Sequence, residues 1–243
     1  MQWDDEGLVL GGRRHGEAAL ILEIMTRQHG RHHGLVRGGR SKTMQSLLQP
    51  GNSVTATWRA RLEDHLGTFQ IEAGDLRTAR FLASPAAMLG FMTVAALLRM
   101  LPERDPHPGL YDAVGVLTER LDDPDIAARL FIHFERAFLA ELGFGLDLVS
   151  CAATGTNENL IYVSPKTGRA VGAISGEPYK DRLLPLPPFL INGGRETKPT
   201  ARDIRAGFML TGYFLKTWVF EPRGQEMPPE RERFISLVLN GHE

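Results

Sequence analysis

Along the first 80 residues apolar and polar positions alternate in short runs, and from about Ser84 the apolar spacing becomes that of a helix. Five runs rich in β-branched, aromatic and aliphatic residues predict strands: Gly7 to Arg14, Ala18 to Thr26, Gly30 to Gly38, Asn52 to Ala60, and Gly67 to about Ala79. Glycine-containing turns separate the first three, and a longer, helical-looking insert lies between the third and fourth. That order suits an OB-fold barrel. A plain five-stranded sheet or an SH3-like barrel gives a similar pattern, and periodicity alone does not separate them.

Ser84-Pro85 predicts an N-cap followed by proline in the first turn of a helix that ends before Pro102. Further helices are predicted over Leu110 to Leu121 and from Pro124 to about Leu142. In the latter, Leu130, Phe131, Phe134, Phe138 and Leu142 form one stripe, and Gly143 and Gly145 form the stop. Residues 146–198 hold no sustained helical period and read as an irregular or short-strand insertion. Thr200 and Asp203 then have capping-box spacing at the start of a long helix, and a short helix closes the chain. The expected organisation is α+β, with a β domain over 1–80 and a helical domain over 81–243.

The 243 residues include 42% hydrophobic and 23% charged positions, ordinary globular values with a formal net charge of −1. The single cysteine, Cys151, excludes an intrachain disulfide and a thiolate-only metal site, and fits a reducing compartment. The first residues are acidic where a signal peptide is basic, and no apolar run is long enough for a membrane span, so a cytoplasmic location is expected.

Charge position changes the picture more than charge total. Between Glu23 and Glu63 there is no acidic residue, whereas Arg27, Arg31, Arg37, Arg40, Lys42, Arg59 and Arg61 lie there, with His29, His32 and His33. A cationic field of this kind suits a polyanion, because each phosphate neutralised releases counterions. Arginine offers phosphate a planar fork and lysine a mobile point charge. The same residues also suit a solvated strand edge that deters aggregation. Trp58 and Phe69 are read as barrel core rather than as stacking platforms, so affinity is expected to rest on phosphates, with weak sequence preference.

Three other features carry less. The histidines have too few nearby acids for a metal site. GLVLGGRRHG lacks the spacing of a nucleotide-binding loop. Cys151 has Thr154 where a CxxC partner belongs and no nearby histidine.

Several segments together resemble the bacterial RecO recombination-mediator family: Ile24 to Asn52, Phe134 to Gly155, Tyr162 to Val171, Leu183 to Leu190, and Arg205 to Val219. They occur in family order and span nearly the whole chain. The resemblance implies an N-terminal OB-fold, a helical C-terminal domain and an inserted zinc-finger-like element. It implies a non-enzymatic protein that binds single- and double-stranded DNA and anneals complementary strands. It further implies loading of recombinase onto DNA coated by single-stranded-DNA-binding protein, with RecR as partner. Arg31, Arg37, Arg40 and Lys42 fall in the family's basic barrel segment, with Arg13 and Arg14 as secondary candidates. Arg205, Tyr213 and Lys216 are candidates for receiving the C-terminal tail of single-stranded-DNA-binding protein. Many relatives hold zinc with four cysteines. Here one remains, so no zinc and no cofactor are expected, and packing by Tyr162, Tyr179 and Leu183 to Phe189 is expected to hold the insertion. The rival reading is a protein adaptor that links RecR to single-stranded-DNA-binding protein without touching DNA.

Overall fold

The computed structural model describes residues 1–191 and 198–240 of the chain; positions 192–197 of the expected insertion and 241–243 of the expected helical domain lie outside the described residues. The chain divides into two compact units, Met1–Asp122 and Asp123–Glu243. Residue 80 lies within the first.

In the first unit, β1 (Gln2–His15), β2 (Ala19–Thr26), β3 (Gly30–Val36), β4 (Ser53–Arg59) and β5 (Thr68–Ala73) close into a barrel of order β1-β2-β3-β5-β4, with helix α1 (Lys42–Leu47) between β3 and β4. Five antiparallel strands closed by one parallel β3–β5 contact, with a helix after the third, is the OB-fold. β1 is longer than its apolar run because polar residues continue it: Gln2 to Leu8 pair with Arg59 to Ser53 of β4. Alternate residues fill the interior. Val54, Ala56 and Trp58 point inward with Val9, Leu22, Ile24, Val36 and Phe69, which settles Trp58 and Phe69 as core.

The outward face of β2 and β3 is not free. Helices α2 (Thr78–Ala83), α3 (Pro85–Leu98) and α4 (Pro108–Thr118) follow the barrel, and Ser84 caps α3 through the Ala87 amide with Pro85 in the first turn, as its sequence predicts. Residues 101–107 lie against the barrel: the Arg104 amide donates to the Arg31 carbonyl (2.9 Å), and the Arg104 guanidinium donates to the carbonyls of Glu63, Asp64 and His65. Gly30 (φ +66°) permits that approach, since a Cβ there would meet the Asp105 carbonyl oxygen at 2.1 Å. Ile21 and Met25 are consequently buried on what would otherwise be an outer surface.

The second unit is built on α5 (Pro124–Glu141), β6 (Leu160–Val163), β7 (Ala170–Gly172), the single turn α6 (Ala173–Gly176), β8 (Leu184–Pro185), α7 (Ala201–Phe214) and α8 (Pro229–Asn240). α7 opens with the Thr200–Asp203 capping box and runs on through a π-helical turn, Leu215–Phe220. α5 ends as its sequence predicts: Gly143 (φ +83°) donates to Ala140 O and Phe144 donates to Leu139 O, a Schellman closure. Phe131, Phe134 and Phe138 of the predicted stripe are buried with Phe208, Phe214 and Phe234.

Within that core sits one charge pair. Arg231 donates to Glu135 (Nε–Oε1, 2.6 Å; Nη2–Oε2, 2.9 Å) and to the Phe208 carbonyl (2.9 Å), and Thr211 Oγ1 completes the carboxylate's partners. The insertion forms a small sheet of order β7-β6-β8 over buried Leu148, Leu160, Val163, Leu186 and Leu190. Tyr162 packs beside Gly176, but Tyr179 is 60% exposed, so the expected clamp by Tyr179 is corrected: the aliphatic residues hold this element.

Candidate nucleic-acid interface

The cationic stretch separates into two populations once its neighbours are in place. In the first, acids from elsewhere in the unit supply the compensation that the local sequence lacks. Arg27 forms a two-pronged pair with Asp112 of α4 (both 2.9 Å). Arg31 donates to Glu23 (2.9 Å) and twice to the Leu101 carbonyl (3.2 Å each), lies 3.5 Å from Glu103, and keeps only 13% side-chain exposure. Glu23 also takes Arg99 (2.7 Å), whose other arm holds the Leu10 carbonyl. Burial pushes the Glu23 carboxyl up, but the hydrogen bonds from Arg99 and Arg31 outweigh it and hold the group below the ordinary carboxylate range. His33 completes the cluster, 3.0 Å from Glu103. Arg31 is therefore corrected: it is a half-buried strut between the barrel and the segment after α3, not a surface cation.

In the second population, Arg13, Arg14, Arg37, Lys42, Arg59 and Arg61 are exposed, and none has a carboxylate partner among the described residues. Strand register gathers most of them. A shift between Val9 and Gly11 sets Arg13 opposite Ile21 and Arg14 opposite Leu20, and Leu20 faces Val36, so Arg14 and Arg37 flank the same barrel mouth. Arg40 lies there too, half-buried, with its guanidinium donating to the carbonyls of Gly16 (3.3 Å) and Glu17 in the β1–β2 turn. It ties that turn to the loop before α1, which Lys42 begins. Arg59, on β4, joins from the other side: it and Arg37 line one groove of about 390 Å³.

On the opposite flank, Trp3 stacks on His29 (4.2 Å) and contacts His32 and Trp58. Burial among these rings pushes the His32 imidazole down to about 4. The histidines are thus packed or paired, and no group of three or more His, Cys, Asp or Glu suited to a metal ion occurs among the described residues. Cys151 is buried, and its Sγ accepts from the Gly172 amide (3.2 Å). The Thr154 hydroxyl, together with that amide, lowers its thiol to about 6. A lone sulfur already occupied by N–H and O–H donors does not fit a four-ligand structural zinc site.

In the second unit a groove of about 620 Å³ runs along α7 and the π turn. Phe208, Met209, Phe220 and Met227 supply apolar lining, and Tyr213 and Lys216 lie at it. Arg205 is exposed on α7 but does not line this groove, whose margin also carries Glu221, Glu226 and Glu232. The expected trio is thus split, and the rim is of mixed sign. No helix among the described residues is long and apolar enough to cross a membrane.

A closed five-stranded OB barrel followed by a helical unit is a class of fold whose barrels bind oligonucleotides or oligosaccharides, and comparison with known proteins gives the family. Residues 1–75 match the model for the recombination protein O N terminal, and residues 85–226 match that for its C terminal. DNA repair protein RecO of Methylobacterium nodulans is 58% identical over 240 residues, covering 98% of each chain. That of Methylorubrum extorquens is 56% identical over 241 residues, again with 98% of each chain covered. That of Mesorhizobium japonicum is 53% identical over 243 residues, covering 100% of this chain and 95% of the relative. The chain belongs to the RecO family of DNA repair and recombination proteins.

Proposed function

We propose that this protein is a non-enzymatic recombination mediator of the cytoplasm, associated with the nucleoid. It binds single- and double-stranded DNA through phosphates, anneals complementary strands, and helps load recombinase onto strands coated by single-stranded-DNA-binding protein, with RecR as partner. One observation supports the reading: Arg14 and Arg37 flank one barrel mouth beside Lys42 at the start of α1, while Arg13, opposite Ile21, lies on the other face of β1, and none of the four has a carboxylate partner among the described residues. Arg40 contributes by fixing the two loops that present them. Annealing follows physically, because cations shared between two backbones lower their mutual repulsion.

The apolar groove on α7 supports docking of the tail of single-stranded-DNA-binding protein, with Tyr213 and Lys216 as contacts and Arg205 as an outlying charge. That groove is also what an adaptor without DNA contact requires. Annealing of labelled complementary strands separates the two readings. The mediator accelerates it, and replacing Arg14, Arg37 and Lys42 by alanine abolishes the acceleration. An adaptor leaves the spontaneous rate unchanged.

A further inference from the structure

OB barrels commonly bind oligonucleotides on the outer face of the second and third strands. Here that face is covered by the unit's own chain, through Arg99, Leu101 and Glu103. A strand held by the barrel must therefore run elsewhere, and the closure of the barrel leaves a place for it. β3 and β5 meet at a single register position, Leu35 opposite Thr68. Leu35 N–H donates to the Gly67 carbonyl, so Gly67 and every second residue after it point their peptide groups toward β3. β3 ends at Val36, so the peptide of Ile71 faces no strand. Beyond that point lies the groove shared by Arg37 and Arg59. Its floor is half-buried Met44 and Ile71, and the Gln70 carboxamide lies at its side.

We propose that this seam is a single-strand subsite, a refinement that rests on the DNA-binding reading above. Arg37 and Arg59 take successive phosphates through their guanidinium forks. One nucleobase lies against Met44 and Ile71, with its edge toward the Gln70 carboxamide and the Ile71 peptide. The groove's volume, about 390 Å³, is that of a site for one small-molecule-sized unit, and a duplex does not enter it. An extended acidic peptide is the other chain that could lie along an open strand edge. Nucleic acid is favoured because the groove is continuous, through Arg37, with the unpaired cations of the barrel mouth.

The test uses the full chain with two probes, a fluorescent single-stranded oligothymidylate and a duplex of equal length. Arg59→Ala is expected to lower the slope of log affinity against log salt for the single strand by about 0.7, and to leave the duplex slope unchanged. Arg59→Lys keeps a charge but loses the fork, and is expected to retain the slope with weaker binding. Irradiating a complex with 4-thiothymidine is expected to cross-link Met44 or residues 68–71. If Arg59→Ala leaves single-strand binding intact while Arg37→Ala and Lys42→Ala weaken it, the subsite is overturned and the DNA-binding reading stands. If the unaltered protein binds neither probe, the DNA-binding reading itself fails. If an oligoglutamate displaces the single strand as effectively as unlabelled DNA does, the seam is a peptide site and the proposal is overturned.

Discussion

Replacing Arg31 by alanine separates a structural cation from a binding one. The guanidinium makes three hydrogen bonds, one to Glu23 and two to the Leu101 carbonyl, at 13% side-chain exposure. Deleting it leaves the Leu101 carbonyl short of its donor, but Glu23 keeps Arg99 at 2.7 Å, so no buried carboxylate is stranded. The cost is therefore that of a charge-assisted bond plus one unsatisfied acceptor, about 2 kcal/mol, rather than the 3–5 kcal/mol of an orphaned charge. For a unit of this size that is a fall of roughly 6–10 °C in the midpoint of its thermal transition, followed by circular dichroism. Oligonucleotide binding measured below that transition should keep its salt dependence unchanged, whereas Arg37→Ala lowers the slope by about 0.7 for a single strand. A variant at Arg31 that melts with the unaltered protein and loses salt dependence as Arg37→Ala does would refute the division into struts and free cations.

Other consequences follow from buried ionisable groups. His32 titrates at about 4 in the folded chain against 6.5 in the unfolded one, so the unfolded state takes up protons first as pH falls. Stability is full above pH 6.5 and declines toward pH 4, by about 3 kcal/mol from this residue, with a further loss at lower pH as Glu23 protonates. Denaturant midpoints across that range check it, and His32→Phe should flatten the decline between pH 6.5 and 4. Glu135→Leu strands Arg231, 3% exposed, and should cost about 3–5 kcal/mol, while Glu135→Leu with Arg231→Met recovers most of it in urea unfolding. Elemental analysis of the purified protein should find far less than one zinc per chain; stoichiometric zinc would contradict the reading of Cys151.

What could be read from the residues alone was whatever neighbours in sequence decide. The Ser84 and Thr200 caps and the Gly143 stop need only a few consecutive residues, and all three occur where the pattern puts them. The five barrel strands were legible because alternation marks each one separately, but how they pair was not. The polar start of β1 was not, since Gln2 to Glu6 are strand only by pairing with Arg59 to Thr55 of β4, far along the chain. The free field of the basic stretch was misread at Arg27 and Arg31 because pairing and packing supply the acids: Asp112 reaches Arg27 from a later helix, and Arg31 takes Glu23 across the β2–β3 pair with Glu103 nearby. Arg59 entered as part of a charge run and became a site candidate only when β5 brought it to the groove of Arg37. Tyr179, aromatic and inside a compact insertion, was assigned to packing, yet its ring faces solvent.

The salt dependence of single-strand affinity is the most direct test of the whole account, measured by fluorescence anisotropy on the unaltered chain and on one variant carrying Arg13→Ala, Arg14→Ala, Arg37→Ala and Lys42→Ala. Four phosphate contacts predict a slope steeper than the variant's by about 3, with both proteins melting alike. Parallel lines for the two proteins, or a flat response in the unaltered chain, would contradict it.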